Sequence, residues 1–160
     1  MGAITKWRAT KVATKVPYTD PATREQDGRR EVFDPVRRRW VALTPEEWVR
    51  QHTIALLHHR YGYPLELMQV EGAIALGGLT RRCDIVVHSA EGRPQIIVEC
   101  KRPDVPLTQK VCDQACRYNT VLHVPFLLLT NGNQQVVLHV DFDFHTLHYL
   151  RELPKFIKKS

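Results

Sequence analysis

The stretch Arg82-Cys83-Asp84-Ile85-Val86-Val87-His88, with Gln95-Ile96-Ile97-Val98-Glu99-Cys100-Lys101 after it, decides the fold and frames the chemistry. Each half holds a run of β-branched residues of the kind that fills a pleated, buried surface. Glu91-Gly92-Arg93 between them reads as a turn. Strands this apolar are normally covered on both faces. The charges sit at their ends: Asp84 opens the first run, and Glu99 and Lys101 close the second. Side chains alternate across a strand, so Glu99 and Lys101 share a face while Cys100 points the other way. A hairpin through residues 91–93 brings Asp84 and Glu99 together at one end of a sheet.

Two carboxylates held close resist ionising beside each other. Taking unpaired charge out of water is also costly. A divalent cation resolves both problems, and Mg²⁺ selects hard oxygen ligands. Lys101 adds a positive charge that can orient a water or stabilise a phosphoryl oxygen. A metal-bound water with its pKa lowered towards neutrality completes the equipment for hydrolysing a phosphodiester. The bare pattern also admits a plainer reading, a Glu–Lys pair at a strand end with Asp84 as a turn residue.

Working outward, Thr44-Pro45-Glu46-Glu47 offers a helix cap, proline at the first helical position and Glu three residues after the cap. The helix is expected to run to about Tyr61, where Gly62 and Pro64 end it. A strand over about Leu67 to Leu76 follows, then a turn at Gly77-Gly78 and the two decisive strands. A second helix, about Thr108 to Leu122, places Val111, Ala115, Tyr118 and Leu122 on one stripe. Strands at Val124 to Thr130 and Gln135 to Val140 are joined at Asn131-Gly132-Asn133. The order α-β-β-β-α-β-β predicts one α/β layer structure, a central mixed sheet flanked by helices. Residues 1–30 carry no sustained period and are expected to be a flexible arm before a single domain over 31–160. Phe33-Asp34-Pro35 and the arginine run to Trp40 read as a short strand or turn entering that domain.

A chain of 160 residues suits one domain with its own core. Its apolar runs are too short to span a bilayer, and the N-terminus lacks a signal-type core, so a cytoplasmic location is expected. Cys83, Cys100, Cys112 and Cys116 match no zinc spacing and read as buried free thiols. Residues 1–40 hold 10 Lys or Arg against 5 Asp or Glu; the other 120 residues hold 13 against 12. A basic arm on a near-neutral body suits a polyanion such as DNA, and equally a solubility tail.

On these motifs the sequence resembles the PD-(D/E)xK nuclease superfamily, whose restriction-endonuclease-like core is an αβββαβ unit. More closely, it resembles the N-terminal nuclease domain of type I restriction enzyme R subunits, over about residues 31 to 145. The most specific stretches are Phe33-Asp34-Pro35-Val36, Trp40 to Arg50, Arg82 to Val87, Ile97 to Lys101 and Val105 to Val111. The resemblance implies Asp84, Glu99 and Lys101 as the catalytic centre of a DNA endonuclease. It implies Asp84, Glu99 and the carbonyl of Cys100 as ligands of Mg²⁺, with Mn²⁺ able to substitute. Cys83 stands where the family has its nominal proline. No phosphate-loop sequence of a motor is present. Some branches carry Gln-x-x-x-Tyr on the second helix, here Gln114 and Tyr118; Lys110, Gln114 and Arg117 share an arc of that helix suited to DNA phosphates. Glu47 has two readings, a metal ligand on the first helix or the Glu of a capping box. The expected partners are DNA and a larger restriction-type assembly or a homodimer, since one site per chain cuts one strand at a time. The competing reading is a binding module on a nuclease fold that grips nucleic acid or protein without cutting.

Overall fold

The computed structural model describes residues 9–12, 20–76 and 78–158, with backbone alone for Leu76, Leu79, Tyr118 and 120–122. In chain order the elements are β1 (Thr10–Lys11), β2 (Thr23–Gln26), β3 (Arg29–Asp34), β4 (Arg39–Ala42), α1 (Pro45–Ala55) and β5 (Met68–Val70). There follow β6 (Ala73–Leu76), β7 (Leu79–Arg82), β8 (Ile85–His88), β9 (Pro94–Cys100), α2 (Gln109–Leu122), β10 (Phe126–Thr130), β11 (Gln134–Asp141) and β12 (Thr146–Leu150).

The central sheet runs β1-β11-β10-β9-β8-β5, with β12 also pairing β11. Only β9 and β10 are parallel within it, joined by α2 as the crossover that parallel strands require. The expected αβββαβ order is therefore present as α1-β5-β8-β9-α2-β10, in a mixed sheet. Strand alternation feeds two cores. Ile85, Val87, Ile96, Val98, Leu128 and Val137 pack with Val49 and Ile54 of α1 and with Leu57 just beyond it. Val86, Ile97, Leu127, Leu129, Val136 and Leu138 pack with Cys112 and Ala115 of α2. Both faces are covered, so the strands can be continuously apolar.

Several expectations need correction. The strand expected over Leu67 to Leu76 breaks at Glu71, which takes φ +54°. Beyond the break, β6 and β7 form a separate two-stranded hairpin inserted between β5 and β8. The strand expected over Arg82 to His88 is likewise divided, with Cys83 and Asp84 between β7 and β8. The first helix leaves α geometry after Ala55; residues 56–60 form a π-helical turn, closed by the Tyr61 N–H donating to the Leu56 carbonyl. Strand β12, which pairs β11 from Asp141 back to Val137, was not expected at all. The arm expected over 1–30 lies partly outside the described residues. Its described part includes paired strands: β1 joins β11, and β2 joins β3 and β4 in a three-stranded sheet.

Among the described residues no helix is long and apolar enough to cross a membrane. Among the described residues no cysteine forms a disulfide; Cys83, Cys100 and Cys112 are buried and Cys116 is half-buried.

Candidate active site

Strands β8 and β9 pair antiparallel with Ile85 opposite Val98, so one further step places Asp84 opposite Glu99. The backbone of Asp84 is fixed by its carbonyl, which accepts from the Glu71 N–H at 2.9 Å. Its side chain then caps the end of the neighbouring strand: Oδ2 accepts from the Cys100 N–H at 2.8 Å. Lys101 leaves that strand with its own N–H donating to the Thr130 carbonyl at 2.8 Å. The three residues singled out from the sequence are thus gathered at one end of β8 and β9, as the hairpin argument anticipated.

The charge balance differs from the expectation. Each carboxylate already holds a guanidinium. Asp84 Oδ1 accepts from Arg50 Nη2 at 2.9 Å, and Glu99 Oε1 pairs with Arg81. Arginines from α1 and β7 therefore share the charge balance that the sequence reading gave to a divalent cation. Burial nevertheless pushes the Glu99 carboxyl up from its usual range, and Asp84 adds to the push, while Arg81 and Lys101 oppose it. The Lys101 ammonium, by contrast with its backbone N–H, makes no hydrogen bond or ion pair among the described residues.

Arg50 extends the site inward. Its Nη1 donates to Glu47 Oε2 at 2.7 Å, and the other Glu47 oxygen takes Arg37. Arg37 in turn is held by Asp34, whose Oδ2 accepts from Arg37 Nε at 2.7 Å and from Gln51 Nε2 at 2.9 Å. Asp34 Oδ1 accepts the N–H groups of Val36 and Arg37, each at 2.8 Å, which folds the turn between β3 and β4. Burial would raise the Asp34 carboxyl, but these hydrogen bonds outweigh it and hold the group below its ordinary range. A chain of alternating charge thus runs Asp34, Arg37, Glu47, Arg50, Asp84 and ends on the Cys100 backbone.

Glu47 resolves into neither of its two expected roles alone. Thr44 Oγ1 does cap the helix by accepting from the Glu47 N–H at 3.0 Å. The Glu47 carboxylate, however, is engaged by Arg37 and Arg50. The sequence reading also missed Arg50, Arg37 and Arg81. Arg50 had a signal, since Glu47 and Arg50 are three apart and therefore neighbours on a helix. Arg81 had none, because its partner Glu99 is reached only through the inserted hairpin. On α2, Lys110, Gln114 and Arg117 are exposed as expected; the Tyr118 side chain lies outside the described residues.

A divalent cation fits this donor set in kind. Among the described residues no three His, Cys, Asp or Glu side chains cluster as a metal cage. Mg²⁺ commonly takes one or two carboxylates, with waters and substrate phosphate completing its octahedron. Asp84 and Glu99 are two such carboxylates at the open end of the sheet, and Glu99 Oε2 accepts no hydrogen bond among the described residues.

Residues 45–154 match the family described as the type I restriction enzyme R protein N terminus. The chain belongs to that family. No curated protein is similar enough to match. Among solved structures, a fragment assigned as the HsdR subunit of a type I restriction enzyme from Vibrio vulnificus is 20% identical, with a TM-score of 0.49, and covers 71% of this chain. This chain spans 24% of that fragment's length. A protein from Anabaena variabilis assigned as a DUF820 nuclease is 13% identical with a TM-score of 0.45, covering 86% of this chain and 80% of its own. At those scores neither structure fixes the role of any residue here. The family membership rests on the matched residues, which include both carboxylates and Lys101.

Proposed function

We propose that this R-protein N-terminal domain is a metal-dependent DNA endonuclease, acting alone or as the nuclease component of a restriction-type assembly in the cytoplasm. The observation that carries the reading is the hydrogen bond from the Cys100 N–H to Asp84, which holds the Asp84 carboxylate at the end of β9 where Glu99 and Lys101 lie. Asp84, Glu99 and the Cys100 carbonyl would hold Mg²⁺ or Mn²⁺. The ion, when bound, supplies Lewis acidity and a water of lowered pKa. Lys101 orients the attacking water or balances negative charge developing on the scissile phosphoryl group. Lys110, Gln114 and Arg117, with Tyr118 on the same helix, hold the DNA backbone.

The test is incubation of purified protein with circular and linear DNA in Mg²⁺, Mn²⁺ or EDTA. Ion-dependent cutting by wild type and none by Lys101→Ala is the expected result. Cutting that persists in EDTA, or equally in Lys101→Ala, sinks this assignment. One observation favours the competing reading of a non-cleaving binding module: both carboxylates already hold arginines, so the fold is balanced without an ion. DNA retention with no cutting in either ion would establish that reading instead. Sedimentation with and without DNA would test for the homodimer that double-strand cutting by one site per chain calls for.

A further inference from the structure

Arg50 lies between carboxylates that come from different elements. Nη1 holds Glu47 of α1 at 2.7 Å, and Nη2 holds Asp84 at 2.9 Å. Glu46 and Glu71 each approach Nη2 to 3.9 Å. The side chain is only 9% exposed. Its Nε is buried with no hydrogen-bond partner, so the Nη atoms carry all of its contact with the acids. The second oxygen of Glu47 is taken by Arg37, which leaves Glu47 with no oxygen clear of a guanidinium.

We infer that Arg50 is a built-in cation of the site, standing where a second divalent ion would bridge Glu47 and Asp84, so that the chain takes a single ion at Asp84 and Glu99. The inference rests on the reading of those two carboxylates as ligands. A dication wedged between Glu47 and Asp84 would strip Arg50 of both partners while leaving it buried. Two like charges would then face each other in a medium that screens them poorly. Arg50 cannot yield by losing its proton, because a guanidinium stays charged in proteins. The position at Glu99 is different. One of its oxygens accepts no hydrogen bond among the described residues, so an ion can reach it without displacing Arg50.

The experiment counts ions without relying on activity. Mn²⁺ is titrated into the full chain without DNA, and the unbound ion is followed by electron paramagnetic resonance. Wild type should bind one Mn²⁺ per chain, and so should Glu47→Gln. Arg50→Met, which opens the position between Glu47 and Asp84, should bind two. Two ions in wild type, loss of the ion in Glu47→Gln, or one ion in a folded Arg50→Met would each overturn the role given to Arg50. No ion in wild type would instead strike the ligand reading of Asp84 and Glu99 beneath it. Should Arg50→Met fail to fold, wild type and Glu47→Gln decide the matter by themselves.

Discussion

Asp84 and Glu99 face each other across two strands, yet they are held in opposite ways. Asp84 is fixed from three sides: its carbonyl by Glu71, one side-chain oxygen by the Cys100 backbone, the other by Arg50. Arg50 is itself fixed by Glu47, which leads back through Arg37 to the buried Asp34. Among the described residues Glu99 holds one guanidinium, that of Arg81 on an inserted hairpin, and its second oxygen accepts no hydrogen bond. Their exposures are nearly the same, 14% for the Asp84 side chain and 13% for Glu99. Burial therefore does not distinguish them; connectivity does. Asp84 belongs to the frame of the fold, and Glu99 is a group whose partner can be exchanged.

The largest effect should come from cutting the frame. Arg50→Met leaves Asp84 and Glu47 facing each other without their shared cation, and should cost about 3–5 kcal/mol in urea unfolding at neutral pH. A loss below about 1 kcal/mol would mean that Arg50 does not fix Asp84.

Asp84→Ala should come next, at about 2–3 kcal/mol. It strands the Cys100 N–H and one arm of Arg50, while Glu47 still satisfies the other arm. Cleavage should vanish in the same variant. A fully active Asp84→Ala protein would remove Asp84 from the proposed centre.

Glu99→Gln should act in the other direction and more weakly. Burial, reinforced by Asp84, raises the Glu99 pKa in the folded chain above its ordinary 4.5. The folded state then binds that proton more tightly than the unfolded state, so wild type loses stability as pH rises from 4.5 through the raised value. Glutamine has no such proton to lose. Without divalent ions, its melting temperature should match wild type in acid and exceed it at neutral pH. A variant less stable than wild type at neutral pH would place Glu99 in the frame beside Asp84, and the contrast between them would fail.

Lys101→Ala should be the quietest of the four in melting, within about 0.5 kcal/mol, because the ammonium makes no ion pair among the described residues. Its cleavage rate should nonetheless fall by about a hundredfold or more. Stability and cleavage measured on one preparation would show whether the two properties separate here as they should.

What could be read from residues alone was whatever depends on neighbours in the chain. The β-branched runs beginning at Ile85 and Ile96 sit at the centre of strands β8 and β9. The Thr44-Pro45 start and the Gly62 stop bracket the first helical segment, because capping and turn formation are local events. The placement of Asp84 opposite Glu99 also followed, since a short hairpin leaves few registers. The limits had equally physical causes. Glu71 adopts a left-handed conformation that its residue type does not advertise, so one expected strand became β5 and the first strand of a separate hairpin. Thr146 to Leu150 gained strand form by pairing with β11, and Thr23 to Gln26 by pairing with β3, partners that no local pattern names. The alternating chain from Asp34 to Asp84 joins residues up to 34 positions apart, as in the bond from Arg50 to Asp84. Local sequence set which charges were present and where strands and helices begin. Only the tertiary fold decided which acid received which arginine, because charge pairing in a buried site depends on distances that chain order does not fix.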